Sequence, residues 1–372
     1  MKIFVYDLAA EDGGGLQVLR NFYYDAIELN YPDTQWIFLT SASEIKPADK
    51  VYVINRNKGS RLSRFFFEFF KLPRLIRRVK PDLVISLQNM PIFRCRKSQY
   101  VYLHQSLQYC KKRFSFLKKE ERSLAFRQKV ICGLYHKTLR RADHIFVQTE
   151  WIRAATIKWL KSYPSEKISV VPVYIDRSRI PDIPNRGEHS KVFFYPARAE
   201  IYKNHSVIID ACRILEQEGF RDYRIVFTFD SSENAYAERL FKDVEGLPIS
   251  FVGRLSYDEM WDYYSKSILL FPSYLETCGL PLIEAKTAGA KIIASDMPFS
   301  HEALGGYGNA WLFPFNNPED LAFLMKTVPF APYKPNNDNN CILSEKASLV
   351  NAMLQRFTGG ENEESSADNI LS

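Results

Sequence analysis

One stretch, Phe271-Pro-Ser-Tyr-Leu-Glu276-Thr-Cys-Gly-Leu-Pro-Leu-Ile-Glu284-Ala-Lys286, combines the end of an apolar strand, a turn and the start of a helix. Pro281 suits the first turn of that helix. Ligands of open parallel sheets bind at the carboxyl edge of the strands. We therefore expect Glu276 in the loop at that edge, and Glu284 one turn into the helix with its side chain tilted back toward the loop. Two surface glutamates near an ordinary helix start remain an alternative, because acidic side chains are favoured there.

Short apolar strands and amphipathic helices alternate on both sides of this stretch, which is typical of parallel sheets in an α/β protein. Strands are predicted at 2–6, 35–39, 50–54, 82–87, 100–103, 144–148 and 169–173, and again at 191–195, 224–229, 249–252, 268–271, 291–295 and 310–313. The pattern predicts two Rossmann-like domains whose parallel sheets face each other across a cleft.

A polar stretch with Pro181, Pro184 and Gly187 separates the two series and is the predicted linker. The predicted domains cover residues 1–175 and 185–330. Residues 331–358 then form a C-terminal segment with a terminal helix, and the acidic residues 359–372 are predicted to be a disordered tail.

The composition of the 372 residues excludes several classes of protein. No apolar run approaches the ~18 residues that a membrane span needs. The N-terminus already carries a charge at Asp7, too early for the core of a signal peptide. Six cysteines without a Cys-x-x-Cys pair argue against a disulfide scaffold or a zinc module. We expect a reduced, cytoplasmic protein.

The net charge of +7 conceals an asymmetry between the two halves. Residues 1–180 contain 33 Lys and Arg against 16 Asp and Glu, whereas residues 181–372 contain 17 against 27. The first half is therefore suited to an anionic partner.

A second loop, Ala197-Arg198-Ala-Glu-Ile-Tyr-Lys203-Asn204, also lies between a predicted strand and a helix. Arg198 and Lys203 bracket it, and two fixed cations can neutralise a leaving diphosphate without a metal ion. The chain contains no Asp-x-Asp, the common metal–diphosphate motif. Solvated surface cations are the alternative interpretation.

A third loop, Gly13-Gly14-Gly15, follows the first strand directly. Its glycines allow a ligand to approach the backbone, and the amides of the next helix are available to an anion. The pattern differs from Gly-x-Gly-x-x-Gly, so a dinucleotide site is poorly supported. A plain tight turn is an equal alternative.

Together these segments resemble the retaining, sugar-nucleotide-dependent glycosyltransferases of the GT-B fold, in the family 4 group that builds bacterial surface polysaccharides. The resemblance extends from the first strand to Lys326, and its most specific element is Glu276-x7-Glu284. His104, at the end of Val-Tyr-Leu-His104, is a further match. Two positions depart from the family pattern: Thr277-Cys278 replaces Gly-Phe, and Ala197-Arg198 replaces Gly-Arg.

The resemblance implies roles for individual residues. Arg198 and Lys203 would hold the donor diphosphate, Glu284 the ribose hydroxyls, and Glu276 with His104 would act at the transferred sugar. The remaining donor-binding residues are implied to be Gly14, Gly15, Asn204, Cys278, Gly279 and Leu280. The implied substrate is a UDP- or GDP-linked sugar, with no further cofactor and no metal. The implied reaction is a hexosyl transfer with retention of configuration.

The first half also contains a segment, 61–80, that mixes phenylalanines with basic residues. Such a composition suits an anionic bilayer, where each basic residue contributes ~1 kcal/mol. Leu72, Leu75, Ile76 and Val79 are instead spaced as a helix face that packs on the sheet. Nucleic acid is the competing anion, but no nucleic-acid motif accompanies the charge. The predicted lipid contacts are Arg61, Arg64, Phe66, Phe67, Lys71, Arg77 and Arg78.

A lipid-linked saccharide on the cytoplasmic face of the membrane is the acceptor that this interpretation favours. Two alternatives remain open at this point. One is another GT-B enzyme, such as a sugar-nucleotide epimerase or a phosphorylase, and the other is a non-catalytic relative that binds nucleotide or membrane only.

Overall fold

The computed structural model describes residues 1–10, 13–57, 59–173, 191–334 and 348–368. The side chains of residues 13, 61, 62 and 360–368 fall outside this description. The predicted linker, with Pro181, Pro184 and Gly187, and both domain boundaries at 175 and 185 lie outside the described residues as well.

The chain divides into two compact units. The first comprises the described parts of residues 1–109, 128–173 and 345–372, and the second those of residues 110–127 and 174–344. Each unit therefore contains a segment that the order of the sequence would assign to the other: 110–127 belongs with the C-terminal half, and the last helix with the N-terminal half.

A parallel sheet of seven strands forms the centre of the first unit. The strands are β1 Lys2–Asp7, β2 Gln35–Thr40, β3 Val51–Asn55, β4 Leu83–Ser86, β5 Ser98–Leu103, β6 His144–Val147 and β7 Ile168–Val170. Their spatial order is β3-β2-β1-β4-β5-β6-β7. Every residue of β4 and β6 is buried, as expected for a parallel sheet covered on both faces.

The second unit contains a parallel sheet of six strands. These are β8 Val192–Tyr195, β9 Arg224–Phe227, β10 Ile249–Phe251, β11 Ile268–Phe271, β12 Ile292–Ser295 and β13 Ala310–Phe313. Their order is β10-β9-β8-β11-β12-β13. In both sheets the strand order reverses beside the first strand, and the crevice at such a point is where open α/β sheets bind ligands.

Helices connect the strands of both sheets. They are α1 Gly13–Glu28, α2 Arg61–Phe66, α3 Leu72–Val79, α4 Arg122–Phe126, α5 Cys132–Thr138, α6 Glu150–Leu160, α7 His205–Gln217, α8 Ala235–Asp243, α9 Tyr257–Lys266, α10 Leu280–Thr287, α11 Pro298–Leu304, α12 Pro318–Thr327 and α13 Leu349–Asp368. A π-helical turn, Phe67–Lys71, joins α2 to α3. In the part of the chain that the structure describes, no helix is both long and apolar enough to cross a bilayer.

The sequence predicted every strand to within three residues at either end. Asn317 caps α12, with its side chain accepting a hydrogen bond from the Asp320 amide at 3.0 Å. The sequence predicted disorder over 359–372, whereas α13 continues through Asp368. A helix that has begun adds each further residue at little cost, so polar residues can prolong it.

Candidate functional site

A direct ion pair joins two of the predicted site residues. Lys203 Nζ lies 2.5 Å from Glu276 Oε1, and the two side chains are only 18% and 15% exposed. Removal from bulk water strengthens the attraction between the charges. The two loops that the sequence identified independently, after β8 and after β11, therefore meet at the carboxyl edge of the sheet.

The backbone around Lys203 is fixed from two sides. Tyr195, the last residue of β8, donates its hydroxyl to the Lys203 carbonyl at 2.7 Å. Asn204 adopts a left-handed conformation with φ of 61°, which asparagine tolerates better than most residues. Its amide nitrogen donates to the carbonyls of Pro272, at 3.2 Å, and Phe315, at 2.7 Å. Asn204 thus ties the Lys203 turn to the ends of β11 and β13.

The Glu276 loop is attached to the same turn by a second set of hydrogen bonds. The Tyr202 carbonyl accepts from the backbone amide of Tyr274 at 3.0 Å. It also accepts from the Ser273 hydroxyl at 3.2 Å. Because Tyr202 precedes Lys203 and Tyr274 lies two residues before Glu276, these bonds set the distance between the paired side chains.

Arg198 occupies the same loop as Lys203 but is exposed to solvent. The loop beside it is held by Asn234, whose side-chain amide donates to the Ala199 carbonyl at 2.8 Å. Of the two predicted diphosphate cations, Lys203 is ordered by an ion pair and Arg198 lies at the surface. An exposed guanidinium on a fixed backbone can still reach an anion by rotating its side chain.

Glu284 is half-buried, one turn into α10. Its Oε2 accepts a hydrogen bond from the Tyr264 hydroxyl at 2.7 Å. Burial raises the pKa of Glu284, and the Tyr264 hydrogen bond partly opposes that rise. Burial and the neighbouring carboxylate raise the pKa of Tyr264 as well, so the phenol remains a donor. Glu284 therefore keeps one oxygen oriented by the protein and the other available for further hydrogen bonds.

The start of α10 requires a glycine. Gly279 has φ of 66°, and a Cβ added there would lie 3.1 Å from Leu282 Cδ1. Next to it, Cys278 is buried, and burial with the nearby Glu276 raises the pKa of its thiol to about 12. The thiol therefore stays protonated and has no nucleophilic character at neutral pH. Leu280 is the first residue of α10.

The first unit brings His104 and Gly15 together. A Cβ added at Gly15 would lie 3.8 Å from His104 Cε1, whereas the space beside Gly14 is open. His104 Nε2 donates to the Leu87 carbonyl at 2.8 Å, and Asn89 accepts from the His104 amide at 2.8 Å. Burial lowers the pKa of His104. The neutral ring thus carries its proton on Nε2 and offers Nδ1 as an acceptor.

The helical segment 61–79 divides into an inner and an outer face. Phe66 and Phe70 are among its exposed side chains, and the two rings stack with their centroids 6.0 Å apart. Phe67 is half-buried beneath the guanidinium of Arg56. The predicted lipid contacts Lys71, Arg77 and Arg78 are exposed. The side chain of Arg61, another predicted lipid contact, is outside the described part of the structure.

Arg64, another predicted lipid contact, is instead bound within the fold. Its guanidinium pairs with Glu68 at 2.7 Å and donates to the Gln88 side chain at 2.9 Å. Tyr6 donates to the same carboxylate at 2.6 Å. The sequence could not show that Arg64 faces the sheet, because a side chain's partners are set by tertiary packing.

Two family models match adjoining parts of this chain. One, described as Glycosyltransferase Family 4, covers residues 18–179, and the other, described as Glycosyl transferases group 1, covers residues 176–328. The chain belongs to the GT-B glycosyltransferases. The predicted fold, α/β with two Rossmann-like domains built on parallel sheets, is confirmed.

Individual relatives agree with the family assignment. The chain is 28% identical over 189 residues to the O-antigen chain mannosyltransferase RfbU of Salmonella typhimurium, a match that spans 48% of this chain and 50% of that protein. The structure of WaaG, a glycosyltransferase involved in lipopolysaccharide biosynthesis, superposes with a TM-score of 0.68 over 96% of this chain and 100% of WaaG, at 15% identity. The structure of HepE of Anabaena in complex with UDP-glucose superposes with a TM-score of 0.64 over 98% of this chain and 100% of HepE, at 13% identity.

Several side chains at the site were not identified from the sequence. Tyr264 binds Glu284 and Tyr195 binds Lys203, but neither contact follows from a spacing rule. Asn89, which holds His104, carried a usable signal because it is a polar residue just beyond a fully buried strand. Such positions lie at the edge of the sheet where ligands bind.

Proposed function

We propose that this chain transfers a hexosyl group from a nucleoside diphosphate sugar to a lipid-linked saccharide in the assembly of a cell-surface polysaccharide. The Lys203–Glu276 pair at the sheet edge is the observation that carries the proposal. The pair combines a cation suited to a diphosphate with a carboxylate suited to a sugar that develops positive charge. Both belong to loops that resemble the family pattern, apart from the departures at Ala197-Arg198 and Thr277-Cys278.

The donor-binding role of Lys203 follows from its charge and its fixed backbone. A diphosphate in the site would give the ammonium of Lys203 a second anionic partner besides Glu276. Arg198, in the same loop, would bind the diphosphate together with Lys203. The amides of Cys278, Gly279 and Leu280 would add backbone donors. HepE, a structural relative, was solved with UDP-glucose, which supports a nucleotide sugar as the donor class.

Glu284 is assigned to the ribose hydroxyls of the donor. Tyr264 occupies one carboxylate oxygen, so the other remains as an acceptor for a pair of hydroxyl donors. Asn204 has a supporting role, since its amide holds the two strand ends between which the Lys203 turn lies.

The transfer itself is proposed to retain the anomeric configuration and to need no metal ion. The bond between the anomeric carbon and the phosphate oxygen breaks, and the acceptor oxygen bonds to the same face of that carbon. The acceptor proton passes to the departing phosphate. Glu276 stabilises the positive charge that develops on the sugar, and Lys203 and Arg198 stabilise the negative charge on the departing phosphate. His104 is assigned to the transferred sugar, where its Nδ1 accepts a hydrogen bond from a sugar hydroxyl. Gly14 and Gly15 have no side chains, so the ligand can approach the protein backbone closely at these positions.

The acceptor is proposed to be anchored in a membrane on its cytoplasmic face. The exposed Phe66 and Phe70, with Lys71, Arg77 and Arg78 nearby, form a basic aromatic surface suited to anionic lipid. The similarity to an O-antigen mannosyltransferase supports surface-polysaccharide assembly as the process. We propose that the chain works on the inner face of the cytoplasmic membrane.

Nucleotide release measured with and without a lipid-linked acceptor tests the proposal. A transferase releases nucleotide from UDP- or GDP-sugar mainly when the acceptor is present. An epimerase would release it without acceptor, and a non-catalytic relative would release none in either case. Addition of a chelator should leave the rate unchanged, and NMR of the product should show the anomeric configuration of the donor. A rate independent of acceptor would overturn the proposal.

A further inference from the structure

Residues 110–127 lie in sequence between β5 and β6 but pack as part of the second compact unit. Phe114 is 1% exposed, so its ring is part of the packed interior. Glu120 pairs with Arg239 of α8 at 3.2 Å. By its packing, this segment therefore belongs to the unit that contains the sheet edge of the candidate site.

Lys112, near the start of the segment, contacts the side chain of Tyr274 in two ways. Its Nζ donates a hydrogen bond to the Tyr274 hydroxyl at 3.2 Å. The same Nζ lies 4.9 Å from the centroid of the Tyr274 ring, which is a cation–π distance. Tyr274 is 4% exposed, and burial raises the pKa of its phenol, which therefore stays protonated. Among the residues that the structure describes, Lys112 supplies the one hydrogen bond to this buried hydroxyl.

Tyr274 lies two residues before Glu276 and is held at two further points. Its backbone amide donates to the Tyr202 carbonyl at 3.0 Å. Its ring packs on that of Phe315, with the centroids 5.2 Å apart. The side chain of Tyr274 is thus part of the frame that sets the position of Glu276, and Lys112 completes this frame from a segment that is distant in sequence.

The other end of the segment lies beside the second loop of the site. Burial raises the pKa of Glu200, three residues before Lys203, and the charges of Arg198 and Arg127 partly oppose that rise. Arg127 is the last residue of the segment and Arg198 belongs to the loop itself. The segment therefore has a cation near each of the two loops that carry the Lys203–Glu276 pair.

We propose that Lys112 is a positioning residue of the transferase site, which fixes the side chain of Tyr274 and through it the position of the Glu276 carboxylate. The proposal rests on the proposed function, because it presumes that Glu276 acts at the transferred sugar. Without the ammonium the buried hydroxyl loses its partner, and a buried polar group without a partner is costly, so the loop rearranges. A displaced carboxylate stabilises the charge on the sugar less well, and the transition state then loses more than the bound donor does.

Lys112→Met tests the proposal, because methionine keeps much of the side-chain length and removes the charge. Acceptor-dependent nucleotide release is measured per donor site, with the sites counted by titration with UDP or GDP so that unfolded chains do not contribute. We expect kcat to fall about 10-fold while the KM for the donor changes by less than about 2-fold. Lys112→Arg should retain most of the rate, since a guanidinium also donates to a hydroxyl and packs on a ring. Lys111→Met is the matched control, because Lys111 is the preceding residue and is exposed.

A double-mutant cycle tests whether Lys112 acts through Tyr274. Tyr274→Phe removes the hydroxyl that Lys112 binds, so it should lower kcat by a factor similar to that of Lys112→Met. The two changes combined should lower kcat no further than either does alone.

The outcomes separate a failure of this proposal from a failure of the proposed function. A fall in kcat at constant KM, restored by Lys112→Arg and not multiplied in the double variant, supports the positioning role. A rise in the donor KM at constant kcat would overturn it, since Lys112 would then bind the donor directly. Independent losses in the cycle, or equal rates in Lys112→Met and Lys111→Met, would also overturn it while the proposed function stands. Absence of acceptor-dependent release by the unmodified chain would overturn the proposed function and the role of Lys112 with it.

Discussion

Glu276 and Glu284 are eight residues apart, yet they lie in opposite surroundings. Glu276 is in a loop, paired with the ammonium of Lys203, whereas Glu284 is half-buried in a helix against the hydroxyl of Tyr264. One carboxylate has a charged partner and the other a neutral one. The same side chain is therefore fitted for two tasks: a fixed negative charge beside a reacting centre, and an oriented hydrogen-bond acceptor.

The largest effect should follow the loss of the charged partner of Glu276. Lys203→Ala removes the cation proposed to hold the donor diphosphate and leaves a partly buried carboxylate unpaired. We expect acceptor-dependent nucleotide release to fall about 100-fold or more. Lys242→Ala is the control, since its ammonium pairs with Glu238 on an exposed helix surface at 2.9 Å. Equal rates in the two variants would contradict the assignment of Lys203.

Removing the charge of Glu284 should separate stability from function. Burial raises the pKa of Glu284 above its ordinary 4.5. Between these two pKa values the folded state therefore retains a proton that the unfolded state has lost. Its contribution to stability is present below about pH 4.5 and is lost as the pH rises through the raised value. Glutamine accepts from Tyr264 without titrating. We expect Glu284→Gln to unfold with a weaker pH dependence in urea titrations, and to bind the donor less tightly.

The same comparison predicts the opposite result for Glu276→Gln. The change removes the partner of Lys203, so the lysine retains a partly buried and unpaired charge. The folded state should lose about 1–3 kcal/mol at neutral pH, whereas Glu284→Gln should lose none. Urea unfolding of both variants at one pH measures the difference. Equal losses would show that the two surroundings do not differ as described.

Tyr264→Phe should destabilise the fold by a comparable or smaller amount. The substitution removes the hydroxyl that donates to Glu284 at 2.7 Å and leaves a half-buried carboxylate with one hydrogen bond fewer. We expect a loss of about 1–3 kcal/mol in the free energy of unfolding, and a further rise in the pKa of Glu284. Tyr24→Phe is the control, because Tyr24 is exposed on α1. A change no larger than that of the control would mean that the hydrogen bond adds nothing.

The smallest predicted effect concerns the glycine between the two glutamates. Gly279→Ala places a Cβ 3.1 Å from Leu282 Cδ1 at a φ of 66°. Gly219→Ala carries a similar φ, of 75°, with nothing within 4 Å of the added Cβ. Both should lose about 1 kcal/mol to the backbone conformation, and Gly279→Ala somewhat more through the contact. Thermal unfolding of the two variants isolates that difference.

Much of the architecture was predictable because it depends on local pattern. Short apolar runs marked the strands, and the glutamates at 276 and 284 were placed by the strand and helix around them. The partners of those glutamates were not equally accessible. Lys203 was predicted as a site residue from its own loop, but Tyr264 lies on a different helix, and its contact with Glu284 depends on how that helix packs.

The organisation of the two units was also partly beyond the sequence. Residues 110–127 precede β6 in the chain, and their composition does not show that Lys112 and Glu120 find partners among residues 239–274. Similarly, Arg64 and Arg78 belong to one basic helical segment, yet Arg64 is bound to Glu68 and Arg78 is exposed. Charge counts identify such a surface, while tertiary contacts decide which charges remain on it.

The most direct test of the account is thermal unfolding of the chain with UDP, GDP and ADP, in the unmodified protein and in Lys203→Ala and Lys242→Ala. Saturating ligand at ~100 times its Kd stabilises a fold by ~2.7 kcal/mol, which a melting curve detects readily. A nucleotide-sugar site at Lys203 and Glu276 predicts stabilisation by UDP or GDP that persists in Lys242→Ala and is lost in Lys203→Ala. Stabilisation by none of the three diphosphates, or equal stabilisation of both variants, would contradict a nucleotide-sugar site at Lys203 and Glu276.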